Sequence, residues 1–272
     1  MNVSFAQSAE SSETSPAPPA QAQRLRHWRM ALLLGVAGAI SAALLLPYLF
    51  ALTPDLPAKI HVSLPVFAFA QSAQAGLLVG LAAWMGLRLG YRYGLDAPRL
   101  RALLHAGSVH GAASHWLAAC AIGSVVALAC VLVSIASPLV VAKGPHITPA
   151  WWQGLLASAY GGIVEEVLCR LFLMSLLVWT LNRLFSTAQP LAWMYWSAIV
   201  AAALLFGAGH LPALAQMHAF TPVNVTQVIV LNALCGVAYG WLFWRHGLEH
   251  AMAAHFSSDI VLHVLAPLMV SF

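Results

Sequence analysis

The sequence predicts an all-α fold, a polytopic membrane helical bundle of about seven transmembrane helices, eight if one further segment crosses separately. Three observations predict it. Of 272 residues, 61% are hydrophobic and only 7% are charged, where a soluble domain carries about 25% charged residues. Mean hydropathy is +0.82, and long apolar runs recur near the ~20 residues a helix needs to cross hydrocarbon. These runs do not alternate polar with apolar residues, which argues against a transmembrane β-barrel.

Residues 1–23 are rich in Ser, Ala, Pro and Gln and read as disordered, within a polar tail that extends to residue 28. The first apolar run, about 30–52, follows Arg24, Arg26 and Arg29. It is too long for the apolar part of a cleavable signal and reads as a first transmembrane helix. Further spans read as roughly 63–87, 116–141, 163–184, 191–210, 223–244 and 249–270. Between them, LDAPRLRALLHAG suits a short surface helix within the segment 91–115, which carries three histidines. Residues 150–160 (AWWQGLLASAY) precede Gly161-Gly162. They either stand apart, with paired tryptophans at the interface, or extend the fourth span into one long element. The organisation is thus a tail at 1–28, amino-terminal transmembrane helices at 29–148 and a membrane core at 149–272, with no internal repeat.

Basic residues orient this layout. With a cytoplasmic amino terminus, the inner segments hold Arg24, Arg26, Arg29, Arg88, Arg92, Arg99, Arg101, Arg183 and Arg245, and the outer loops hold only Lys59 and Lys143. That asymmetry is the positive-inside pattern of a multi-pass integral membrane protein. It accounts for the net charge of +4 without nucleic acid as a partner; the partner it requires is the lipid bilayer. Oligomeric state is not legible. The four cysteines (Cys120, Cys130, Cys169, Cys235) lie in apolar runs without zinc-knuckle spacing and read as small apolar fillers.

Of the eight acids, Glu10 and Glu13 lie in the tail, Asp55 and Asp96 in loops, and Glu249 at a helix start. Glu165, Glu166 and Asp259 remain inside apolar segments. A charge at the bilayer centre costs roughly 2.5–3.5 kcal/mol on insertion scales, so such groups mark function or a specific internal bond. Glu166 and Arg170 are four apart and share a helix face, where they can pair. Glu165 lies about 100° around the helix and needs another partner or a proton. In the fifth span, Phe206 and His210 are four apart, with Gly207 and Gly209 between them to admit another helix. In the last span, His255 and Asp259 are four apart, and His263 continues the face. Each group alone has a structural reading, as interhelical glue, an interface imidazole or a satisfied hydrogen bond. Together they suit two chemistries. They can deprotonate a water with a carboxylate base, or they can ligate a divalent metal such as Zn²⁺ through Glu165, His210, His255 and Asp259. No serine stands in a G-x-S-x-G context and no H-E-x-x-H is present, which weighs against a serine lipase and a zincin.

The order Glu165-Glu166-x-x-x-Arg170, Phe206-x-x-x-His210, His255-x-x-x-Asp259 resembles the three-motif signature of the CAAX-protease and bacteriocin-processing (CPBP, Abi) family. That family includes the type II CAAX prenyl endopeptidases. The resemblance covers about residues 150–265 and makes 149–272 a catalytic core. It implies an intramembrane endopeptidase acting on a membrane-associated peptide or protein, CAAX-type or bacteriocin-leader-type. It assigns water activation to Glu165 and His210 and oxyanion support to His255 and residue 259, with Glu166, Arg170 and Phe206 supporting. No cofactor is established by it, and Zn²⁺ belongs only to the metal-assisted variant. Where the family pattern commonly ends in asparagine, this chain has Asp259. An ionised aspartate cannot donate a hydrogen bond, so Asp259 is protonated, orients His255, or helps hold a metal.

In this layout Glu165 and His210 fall toward the outer side, whereas His255 lies about six residues into the last span, ~9 Å from the inner side. Tilt, a break at Pro212 or a different helix start is needed to bring them level. Two rival functions use the same residues: a proton-coupled transporter, and a catalytically silent immunity or scaffold protein of the same fold.

Overall fold

The computed structural model describes residues 20–104, 115–136, 148–216 and 220–270. Residues 1–19 of the expected tail lie outside these, as do Lys143, His105 and His110. Among the described residues every regular element is helical.

Helix α1 (Ala20–Leu52) starts earlier than the expected boundary, because Ala20-Gln-Ala-Gln-Arg-Leu-Arg is made of good helix formers. Helix α2 (Leu64–Gly90) packs along α1. The expected surface helix is α3 (Pro98–Leu104), with Arg101 paired to Asp96 at 2.6 Å beside its start. Helix α4 (Trp116–Ala136) follows.

The next element decides between the two alternatives left open for residues 150–160, in favour of one long helix. Residues 150–160 do not stand apart, and among the described residues they form no separate eighth span. Trp151–Tyr160, the π-helical segments Gly161–Glu165 and Val167–Met174, and Ser175–Leu184 form one continuous helical run, α5. Gly161 and Gly162 do not end the helix; they make room. The backbone oxygen of Met252 and Cβ of Phe256 would both lie 3.2 Å from a Cβ at Gly162. Glu165 and Glu166 consequently sit near the middle of a long helix instead of near its end.

Helix α6 (Ala192–Gly209) stops at His210, and α7 (Leu211–Gln216) resumes after it. The cause is Pro212, which has no N–H and crowds the preceding turn. This is the break anticipated at Pro212. Helix α8 (Pro222–His246) begins on Thr221, whose Oγ1 accepts the Asn224 N–H at 3.2 Å. It ends at Gly247, where φ is +94°, and α9 (Leu248–Asp259) starts at once. Helix α9 continues through π-helical Ile260–Leu265 into Ala266–Val270, so His255 and Asp259 also lie near mid-helix. The early start at Trp151 brings Glu165 to mid-helix, level with His255 and Asp259, while His210 stays at the end of α6.

Among the described residues, six helices are long and apolar enough to cross a membrane: His27–Leu52, Leu64–Tyr93, Trp116–Ala136, Ala192–Gln216, Pro222–His246 and Leu248–Leu268. The charged α5 is the seventh long helix. Phe69, Leu77, Leu117, Val125 and Leu205 are exposed on the outside, as a lipid-facing surface requires. Helix α9 is held between α4 and α5 at two glycines. A Cβ on Gly123 would overlap the Ala254 carbonyl, and a Cβ on Gly154 would overlap the His263 carbonyl.

Candidate active site

The site is built on α5 and α9. Glu166 is fully buried, and its Oε1 lies 3.0 Å from Arg170 NH1, confirming the expected pairing. The contact is an ion pair without hydrogen-bond alignment, since Arg170 NH1 has no aligned acceptor. Arg170 NH2 donates to the Gly236 carbonyl at 3.2 Å. The guanidinium lies 4.7 Å from the Phe206 ring centre and 5.2 Å from that of Tyr239. A buried arginine is thereby enclosed by a carboxylate, a carbonyl and two aromatic faces.

The same Glu166 oxygen accepts from His255 Nδ1 at 2.7 Å. Sequence spacing did not reveal this bond, because it depends on how two helices are rotated against each other. It fixes the tautomer: with Nδ1–H given to Glu166, the other ring nitrogen faces the site. His255 is stacked on Tyr239, with ring centres 4.6 Å apart and planes at 21°, and Phe206 meets it edge-on at 5.6 Å.

His255 Nε2 stands between two carboxylates. Glu165 Oε2 is 3.7 Å away and Asp259 Oδ1 is 3.6 Å away. Neither distance is a hydrogen bond, so these three groups border a gap instead of closing on one another. Glu165 borders it with a side chain 27% exposed, against 0% for Glu166. The two adjacent glutamates thus have opposite environments, one anchoring and one accessible.

His210 is placed differently. Its Nδ1 donates to the Phe206 carbonyl at 2.9 Å, which leaves Nε2 as the free nitrogen. Its ring packs edge-on against Phe206 at 4.9 Å, and Phe206 in turn meets His255. The four-residue spacing of Phe206 and His210 therefore produces a ring contact and a cap. The structure brings Glu165, Glu166, His255 and Asp259 together directly and joins His210 to them through the Phe206 ring.

Three further residues shape the site. Tyr239 forms the floor under His255. Gly161 supplies space: a Cβ there would overlap Asp259 Oδ2 and lie 3.0 Å from His255 Nε2. Tyr48, from α1, reaches His263 Nδ1 at 3.0 Å, and His263 Nε2 is 3.8 Å from Asp259 Oδ1. Gly161 was visible in sequence only as an apparent break. Tyr48 and Tyr239 carried no spacing signal at all. Replacement Gly161→Ala is expected to lower turnover at least about tenfold by displacing the Asp259 carboxylate. The atoms it strikes are side-chain tips, so the midpoint of thermal unfolding should move by only a few degrees. Comparing the two measurements checks this.

Fold and site together define a polytopic membrane protein with a buried carboxylate–imidazole centre. Residues 147–261 match the model of the family described as type II CAAX prenyl endopeptidase Rce1-like. This segment holds all seven motif residues, and the match agrees with the three-motif resemblance. The family is one of membrane-embedded proteases. No curated protein and no solved structure matches the chain.

Among the described residues, no group of three or more His, Cys, Asp or Glu side chains is disposed to hold a metal ion.

Proposed function

We propose that this chain is an intramembrane endopeptidase that hydrolyses a peptide bond of a membrane-associated substrate of the CAAX type. The observation that carries this reading is the gap bordered by Glu165, His255 and Asp259 inside a family-matched segment. In the proposed cycle, a water in the gap attacks the scissile carbonyl and gives its proton to Glu165 or to the free Nε2 of His210. His255 acts as imidazolium: Nδ1–H is held by Glu166, and Nε2–H meets the developing oxyanion. Asp259 contributes a second donor in its protonated form. Collapse of the tetrahedral intermediate breaks the C–N bond, and the departing amine takes up the proton. No step is routed through a metal. The amino terminus is proposed to be cytoplasmic, from the distribution of arginines.

The test uses the full chain in lipid vesicles with peptides ending in a CAAX sequence, prenylated and unprenylated, beside a leader-type peptide. Mass spectrometry is expected to show a new carboxyl terminus within the CAAX segment. Cleavage should persist after chelator treatment. Cleavage abolished by chelator and restored by Zn²⁺ would return the metal route. Substrate-dependent proton flux without any cleaved product would favour a carrier instead.

A further inference from the structure

Asp259 Oδ1 faces two imidazoles, His255 Nε2 at 3.6 Å and His263 Nε2 at 3.8 Å. Both separations exceed hydrogen-bond length, so no direct bond fixes the carboxyl group. The group lies between the two rings. The His255 ring is held by Glu166 and Tyr239, as described above. The His263 ring is held by Tyr48, whose hydroxyl lies 3.0 Å from Nδ1 and whose ring meets it at 5.4 Å. With Nδ1 engaged by the phenol, Nε2 is the nitrogen turned to Asp259.

Two adjacent residues of α5 bring this pair together. Gln153 donates from Nε2 to the Pro47 carbonyl at 3.0 Å, while its Oε1 accepts the Ala150 N–H at 2.8 Å. This clamps the residue before Tyr48. Next to it, Gly154 admits the backbone of His263, because any Cβ there would strike the His263 carbonyl. Tyr48 and His263 both fall outside the family-matched residues 147–261.

We propose that Tyr48 and His263 form a positioning pair for the proteolytic site, holding the Asp259 carboxyl group between two imidazoles so that it faces the gap beside Glu165. The pair acts through Asp259 and touches no substrate. The proposal rests on the endopeptidase reading above. The titratable groups in contact with His263 are Tyr48 from α1 and Asp259 from α9, and the imidazoles of His255 and His210 act on it through space. α5 faces it with the backbone of Gly154.

The experiment compares Tyr48→Phe, His263→Gln and the double variant, in the full chain in vesicles, on the CAAX-ending peptide that the parent protein cleaves. Each single variant should lower kcat about ten- to a hundredfold through a carboxyl group displaced by less than an ångström. KM should stay within about twofold. The double variant should be no slower than the slower single one, because both act on one carboxyl group. The pH profile of kcat should be displaced in both single variants. An unchanged kcat and pH profile in Tyr48→Phe, or losses that multiply in the double variant, would overturn the proposal. A second measurement needs no substrate: ring-labelled histidine NMR of His263, followed against pH. Its titration should shift in Tyr48→Phe, and an unshifted titration also overturns the pairing. If no peptide is cleaved even by the parent protein, the endopeptidase reading fails, and the NMR titration still decides whether Tyr48 controls His263.

Discussion

Replacing Glu165 by alanine or glutamine is expected to lower kcat for peptide cleavage by about 10²–10⁴-fold, the usual range for a lost general base. Folding should be unaffected. Glu165 is partly exposed, and its nearest charged partner is His255 Nε2 at 3.7 Å, too far for a bond that stabilises the fold. Removing it also removes one of the three carboxylates around a single imidazole. The variant should therefore melt at the same temperature as the parent protein or slightly above it. Glu165→Gln is the stricter form, since it keeps shape and polarity and loses only basicity. Cleavage of the CAAX-ending peptide and thermal unfolding in the same vesicles are the two measurements. Undiminished cleavage by Glu165→Gln removes Glu165 from the chemistry. A lower melting temperature would make it a structural residue.

The division between the two glutamates was legible in the sequence; the bond that joins Glu166 to His255 was not. Spacing put Glu166 with Arg170 and left Glu165 unpaired, which is the observed division. Four-residue spacing is a local property of one helix, so it survives translation from sequence to structure. Rotation of one helix against another is not local. Nothing in the spacing of Glu166 and His255 shows that they share a 2.7 Å hydrogen bond. The same reason hid Tyr239 beneath the His255 ring and Tyr48 behind His263, since neither residue stands in a periodic pattern with its partner.

The helices themselves were legible because each is a long apolar run, and hydrocarbon leaves few alternatives to a helix. The exception was α5. Gly161-Gly162 carries the ordinary cost of glycine in a helix and so looks like a boundary. Within the bundle that cost is offset, because the missing side chains are what allow Asp259 and the α9 backbone to approach. The assumed boundary then misplaced Glu165 by several turns and produced its apparent conflict in depth with His255. A glycine pair beside an intramembrane acid reads better as room for a partner helix than as a stop.

The largest effect on stability is expected from separating Glu166 and Arg170. Both side chains are buried to within 1%, and removing one partner leaves an uncompensated charge that costs about 3–5 kcal/mol. Arg170→Ala should therefore be strongly destabilised, and Arg170→Lys only partly better. Lysine keeps the charge, but it cannot reach the Gly236 carbonyl while lying flat against Phe206 and Tyr239 as the guanidinium does. Glu166→Ala should lose stability as well, and it should also lose activity, because His255 Nδ1–H then has no carboxylate to orient the ring and balance the imidazolium charge. The informative variant is the double replacement Glu166→Leu with Arg170→Met. Exchanging a buried ion pair for apolar residues of similar volume is often neutral or stabilising, so thermal unfolding in vesicles should return to near the parent value. Cleavage should not return, since the restored packing supplies no partner for His255. Recovery of both stability and cleavage would show that the pair only fills space. Single variants as stable as the parent protein would show that Glu166 and Arg170 are not coupled in the membrane at all.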